Sequence, residues 1–318
     1  MARRSDASLA ALLLGQRLVA NAAPPLKAAE FWPLLARVGD PGPLLGRTAA
    51  ELTTVLQDAG LDDAALASRV AARFASATGV AFELERLEQS GIRVVTPFDA
   101  EYPARIRVRL GAGAPPLLHV VGDAGLLADP ALGVVGPHEV DDAGEARSAA
   151  AATHATGLGW AVVSGFSPGV DRVAMAAALD AGGRALGFLA DPLVAVVRAP
   201  ELRGAITDRR LYLATPYPPA APRTEAGALG RNRLIYASAR VTFVVSSEVG
   251  SGGTWAGASE ALRNGYGAVA AWTGPGAGPG NPELVAAGAT PVSDVDALLP
   301  GDAEVEAGNG NGNSTEPA

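Results

Sequence analysis

Between Trp160 and Gly183 the apolar pattern changes period at a single turn. Trp160 to Val163 is a continuous apolar run that stops at Ser164-Gly165. After Phe166-Ser167-Pro168-Gly169, apolar residues recur at Val170, Val173, Ala174, Ala177 and Ala178, which is helical spacing, until Gly182-Gly183. This is a buried strand, a tight turn and a helix start. Such a unit buries its apolar faces only by stacking against copies of itself, which restricts the chain to the α/β class.

The same rhythm runs from Ala131 onward. Strands are expected at 132–135, 160–164, 185–189, 211–215, 241–246 and 268–272, with helices near 141–156, 169–181, 199–205, 226–238 and 253–264. Short helices near 282–287 and 294–299 close the series. The strands are near-continuous Val/Leu/Ala runs, as in a parallel sheet covered on both faces. The expected fold is therefore a Rossmann-like parallel sheet domain over 131–300, behind a small α-helical domain over 1–91. In the latter, Leu9, Leu12 and Leu13 share a face, Thr48 and Glu51 have capping-box spacing, and Leu66, Val70 and Phe74 line a stripe ending towards Gly91. Residues 92–130 read as a connector with short strands at 92–95 and 117–121. Residues 301–318, acidic and with Gly/Asn alternation, read as a disordered tail.

Composition excludes several classes. There is no cysteine, so disulfides and thiolate-bound metals are ruled out, and a reducing compartment, the cytoplasm, is expected. No run of about 18 apolar residues suggests a membrane span. Arg3-Arg4 before Leu9 to Leu14 resembles a signal peptide, but Gln16 and Arg17 interrupt the run and the leucines fit an amphipathic helix. The net charge of −8 argues against bulk nucleic-acid binding. Charge is uneven, however. Between Arg198 and Arg240 eight arginines face Glu201, Asp208 and Glu225, a local excess of five positive charges.

Four stretches carry candidate chemistry. The turn Gly165-Phe166-Ser167-Pro168-Gly169 matches a nucleophile elbow, G-x-S-x-G. Pro168 lacks the N–H such a site needs, and His119, His138 and His154 all precede Ser167, so a serine hydrolase is not expected. Backbone donors at this turn suit an anion instead, with phosphate as the first choice. The second stretch is Gly136-Pro137-His138, at the first strand-to-helix turn of the α/β series; it lacks G-x-G-x-x-G. The third is Gly230-Arg231-Asn232-Arg233, whose arginine forks suit phosphate. The fourth is Gly250-Ser251-Gly252-Gly253-Thr254-Trp255, where glycines admit close backbone approach and two hydroxyls add donors; it has no lysine and is not a Walker loop. Trp255 either stacks on a base or packs in the core. All four stand at expected carboxyl ends of strands, and in a parallel sheet these share one edge.

These residues resemble the DprA/Smf family of DNA-processing proteins. The resemblance rests on Tyr102-Pro103, the Pro115-Pro116 strand ending at Gly122-Asp123, Val135-Gly136, and Val163-Ser164-Gly165 with Gly169 and Asp171. It continues through Tyr217-Pro218-Pro219, Arg231-Asn232-Arg233-Leu234-Ile235, and Glu248 with Ser251-Gly252. It implies an extended Rossmann-like domain, single-stranded DNA as ligand, loading of a RecA-type recombinase as in natural transformation, a homodimer, and no catalytic activity or cofactor. The chain departs from the family pattern in four places. Gly136-Pro137-His138 replaces Gly-Ser-Arg, Met175 replaces a histidine, Pro168-Gly169 replaces Arg-Gly, and Gly252-Gly253-Thr254 replaces Gly-Ser-Leu. The last change leans towards nucleoside-phosphate-binding relatives of the same fold. The alternative reading is therefore a nucleotide-ligand sensor or an N-glycosidic hydrolase, with Glu248 or Asp171 as its acid/base group. In the DNA-binding reading Gly136, His138, Ser164, Gly165, Ser167, Gly169, Asp171, Arg231, Asn232, Arg233 and Gly250 to Thr254 form the phosphate site.

Overall fold

The computed structural model describes residues 4–19 and 22–299. The expected tail at 301–318 lies outside the described residues. In chain order the elements begin with α1 (Asp6–Gly15), α2 (Ala28–Val38), α3 (Ala49–Asp58), α4 (Ala64–Ala75) and α5 (Ala77–Gln89). Strand β1 (Arg93–Val95), α6 (Ala104–Leu110) and β2 (Leu118–Gly122) follow. Next come β3 (Ala131–Val135), α7 (Asp142–Gly157), β4 (Ala161–Ser164), α8 (Val170–Asp180) and β5 (Ala185–Phe188). Then come α9 (Leu193–Val196), α10 (Pro200–Thr207), β6 (Leu211–Thr215) and α11 (Glu225–Ser238). The described chain closes with β7 (Val241–Val244), α12 (Gly252–Asn264), β8 (Ala268–Trp272), α13 (Gly280–Ala286) and β9 (Thr290–Val292).

Contacts divide the chain into two units that cut across the expected boundaries. One holds residues 1–128 and 187–238, the other 129–186 and 239–318. The dividing line passes through β5. Residues 187–238 join the first unit because β6 pairs antiparallel with β2, setting His119 opposite Thr215 and Gly122 opposite Tyr212. β2 in turn pairs antiparallel with β1. The expectation that 211–215 belongs wholly to a parallel sheet is thus corrected on this side of the strand.

In the first unit local signals start the helices. The Thr48 hydroxyl accepts from Glu51 N–H while the Glu51 carboxylate accepts from Thr48 N–H, closing the capping box. Asp63 caps α4 by accepting from Leu66 N–H. Helix α6 was hidden in the expected connector. Its sequence, Ala-Arg-Ile-Arg-Val-Arg-Leu, alternates apolar and charged residues at a strand-like period, yet it folds as a helix packed on α11. Arg105 and Arg109 settle this, because they donate to the carbonyls of Ser238, Tyr236 and Ala237 at the C-terminal end of α11. Cations there satisfy orphan carbonyls and complement the helix dipole. Arg107 lies 3.8 Å over the Trp32 ring, and Trp32 Nε1 donates to Ala114 O at 2.7 Å.

In the second unit the strand order is β4-β3-β7-β8-β9, all parallel. Leu132, Val134, Val162, Phe243 and Trp272 fill the core beneath Ala151, Ala152, Ala155, Ala174 and Ala178 of α7 and α8. These alanines let the two helices sit close to the strands. β9 is a strand that the sequence pattern did not show: it is three residues long with Pro291 at its centre, which an edge position tolerates. The helix expected at 294–299 is a 3-10 turn at Val295–Ala297.

Candidate functional site

Within the second unit β3, β4 and β7 end together. Gly133 stands beside Val163, and Val135 beside Val244. The three turns that follow therefore emerge on one side of this sheet, as open α/β sheets arrange ligand sites. Three of the four expected stretches follow these strand ends, and two of them touch.

The first two turns touch through their backbones. Gly169 has φ +77, and a side chain there would run into the carbonyls of Pro137 and His138. Gly136 likewise leaves no room for a Cβ against Val170. Val170 N–H points to Pro137 O at 3.4 Å. Ser164 is fully buried and its hydroxyl donates to Val134 O at 2.6 Å, fastening β4 to β3. Gly165 and Ser167 are buried as well. Asp171, also buried, sits in the first turn of α8, where a carboxylate complements the positive helix end. His138 is exposed.

Phe166 adopts φ 57, a left-handed backbone that non-glycine residues seldom take. It brings the Phe166 ring to 5.1 Å from the guanidinium carbon of Arg172, an exposed residue on α8. Arg172 is a cation beside the site that the sequence reading passed over. The signal for it was an arginine at the third position of the helix, directly after Asp171 and one residue beyond the stretch taken as a motif.

The third turn is anchored at its root and open at its tip. Gly280 N–H donates to Ser247 O at 2.8 Å, and the Ser247 hydroxyl donates to Asn281 Oδ1 at 3.0 Å. Asn281, fully buried, donates from Nδ2 to Trp272 O at 2.9 Å and to Val245 O at 3.3 Å. From Glu248 to Gly252 the loop is exposed, and Gly253, Thr254 and Trp255 are half-buried at the start of α12. Ser251 occupies the N-cap position but its side chain makes no capping bond. Gly250 and Gly252 have φ +68 and +80, conformations that only glycine adopts freely. Asn281→Leu removes the amide and leaves Ser247 and a strand-end carbonyl without it. It is expected to cost about 2 kcal/mol and to loosen the loop, read as faster amide exchange at 246–252.

The fourth stretch lies in the first unit, on α11. Arg231 is buried, 2% exposed, while Asn232 and Arg233 are half-buried. Arg233 Nε donates to Gly230 O at 3.0 Å. The Tyr217 hydroxyl donates to Gly227 O at 2.7 Å on the same helix. Burial raises the Tyr217 pKa, and Arg233 and Arg231 pull it back, so the Tyr-Pro-Pro and Arg-Asn-Arg stretches are neighbours. Part of the positive excess is absorbed locally, by Arg209 on Asp123 at 2.8 Å and Arg210 on Asp208 at 3.6 Å. No group of three or more His, Asp or Glu among the described residues is arranged to hold a metal. No described helix is long and apolar enough to cross a membrane.

The family model for DNA recombination-mediator protein A matches residues 93–301. The DNA processing protein DprA of Mycobacterium tuberculosis, strain H37Rv, is 32% identical over 248 residues, and the match covers 70% of this chain. The chain spans about 62% of the length of the curated relatives it matches. Among solved structures, DNA processing protein A from Streptococcus pneumoniae superposes with a TM-score of 0.61 at 20% identity, covering 86% of this chain and 97% of that one. DNA processing protein A from Helicobacter pylori, whose single-stranded DNA binding mode its structure addresses, gives 0.54 at 18% identity over 66% and 95%. At these identities the likeness is one of fold.

Proposed function

We propose that this chain, which belongs to the DNA recombination-mediator protein A family, binds single-stranded DNA and hands it to a RecA-type recombinase. The observation that carries this reading is the backbone contact between the 136–138 and 165–169 turns, with the exposed 248–252 loop following the adjacent strand β7. Such a surface is built of backbone and small side chains, with the Ser251 hydroxyl exposed and that of Thr254 half-buried, which suits a sugar-phosphate chain without reading its sequence. Arg172 over Phe166 adds a cation and a ring face at the same turns. In the first unit, Asn232 and Arg233 on α11 are a separate candidate for phosphate contacts, since their half-buried side chains are reached before Arg231. Delivery to the recombinase, action as a homodimer and a place in the cytoplasm belong to the same proposal. Their support is the family's role as a recombination mediator. No covalent step is part of it.

The test is fluorescence anisotropy with a labelled single strand of about 20 nucleotides, repeated across salt concentrations. The logarithm of affinity is expected to fall linearly with the logarithm of salt, by roughly 0.7 per phosphate neutralised. Arg172→Ala and Arg233→Ala are each expected to weaken binding about three- to tenfold and to flatten that slope. A double variant that binds and responds to salt as the parent does would overturn the site.

A further inference from the structure

The first unit holds a solvent-open pocket of about 450 Å³ that the DNA-binding reading does not use. Its charged lining is Arg93, Arg203 and Arg209 against Asp123 alone. Val121 and Ile206 form an apolar wall. Two of the arginines are held in place. Arg93 donates to Glu101 and to Gly122 O, both at 3.0 Å, and Arg209 donates to Asp123 at 2.8 Å. Arg203 projects from α10, exposed, and among the described residues its guanidinium makes no ion pair or hydrogen bond.

The backbone at Arg209 is the second observation. Helix α10 ends with Arg210 N–H donating to Ala205 O at 2.8 Å, the closing bond of a Schellman turn. The residue that must turn left-handed there is usually glycine, but here it is Arg209, at φ 59. The turn gains nothing from an arginine in that conformation. What the arginine adds is a guanidinium at Asp123 and on the pocket wall.

We infer that this pocket is a binding site for a phosphomonoester, with the esterified nucleoside lying against the apolar wall. A phosphomonoester carries a charge of about −1.5 to −2 near neutral pH, and the three guanidiniums, offset by Asp123 on the wall and Glu101 on Arg93, leave a net positive charge to meet it. Guanidinium forks engage phosphate oxygens in pairs. The volume falls in the range of small-ligand sites, about 300–1,000 Å³. The phosphate has two sources with this chemistry, a free nucleotide or the 5′-phosphate end of a strand. The site is independent of the single-strand surface proposed above.

Isothermal titration calorimetry of the full chain with dAMP and with deoxyadenosine tests the site. dAMP is expected to bind and deoxyadenosine to give no heat. Arg203→Ala, on an exposed helix face, and Arg209→Gly, which relaxes the left-handed turn, are each expected to weaken dAMP about tenfold. Arg209→Gly is expected to keep or raise the melting temperature, so lost binding there is not lost folding. Equal binding of deoxyadenosine, no heat at millimolar dAMP, or unchanged affinity in the double variant would overturn the site. A 5′-phosphorylated dT octamer that outbinds its 5′-hydroxyl form, and loses that advantage in the double variant, assigns the pocket to strand ends. Octamers that bind alike while dAMP still discriminates assign it to free nucleotide. Arg172→Ala/Arg233→Ala leaves the dAMP titration unchanged, which separates this site from the strand-binding one.

Discussion

Arg73→Leu is expected to destabilise the first unit by about 3–5 kcal/mol, since three carbonyls lose their buried donor together. Arg73 lies on the apolar face of α4, beside Ala67, Val70 and Phe74, and is 1% exposed. Its Nε donates to Leu13 O at 2.8 Å, Nη2 to Gln16 O at 2.6 Å and Nη1 to Ala23 O at 2.8 Å. Two of these carbonyls close the C-terminal end of α1, whose residues Ala10 to Leu14 are all buried. One guanidinium thus stops α1, complements its dipole and pins the chain that follows. Burial lowers the Arg73 pKa, but an arginine stays charged at any physiological pH. Leucine fills most of the space and supplies no donor, so carbonyls lose their partners where water reaches them poorly. Arg73→Lys keeps the charge but not the fork, and is expected to fall between parent and leucine variant. Urea unfolding gives the energies, and amide exchange locates the damage in α1. Protection of Ala10 to Leu14 equal to the parent's would show that the clamp is dispensable.

The α/β rhythm was legible because buried parallel strands and alanine-faced helices leave different periods in the sequence. The strand ends at 135 and 164 could be placed because Gly136 and Gly165 follow them, whereas the strand expected over 241–246 stops at Val244, two residues before Ser246. Less visible were features that depend on a partner distant in sequence. Helix α6 lies unmarked in the expected connector until Arg105 and Arg109 find the end of α11. Arg73 reads as a flaw in an apolar stripe until three carbonyls surround it. The division into units follows from the pairing of β2 with β6, across about 90 residues of sequence, which no local pattern encodes. The site shows the same split. Glycines at 136 and 169 mark a turn each, but only the fold shows that their backbones meet. Arg231 and Arg233 look equivalent in sequence, yet one faces the interior of its unit and the other is half-buried. Two residues apart on a helix, they lie on different faces.

Acid is expected to weaken the first unit through His119. This residue is central in β2, opposite Val94 of β1 and Thr215 of β6, and is 2% exposed. Burial pushes its pKa down to about 4 from 6.5, with the backbone of Thr215 and Tyr217 pushing weakly the other way. The folded state therefore holds the imidazole neutral while the unfolded chain protonates it near pH 6.5. Stability from this residue is complete above pH 6.5 and is lost as pH falls towards 4, by about 2 kcal/mol at pH 5 and about 3 kcal/mol at pH 4. Urea midpoints taken from pH 7.5 to 4.5 measure the slope, and His119→Leu is expected to remove most of it. A variant with the parent's slope would assign acid sensitivity to other groups. The consequence reaches function, because β6 leads through Tyr217 into α11, which carries Asn232 and Arg233. Phosphate contacts by themselves do not weaken as the pH falls from 7 to 5, since arginine stays charged. Single-strand affinity that collapses below about pH 5.5 in the parent, but persists in His119→Leu, would therefore report loss of the frame beneath α11 rather than of the contacts themselves.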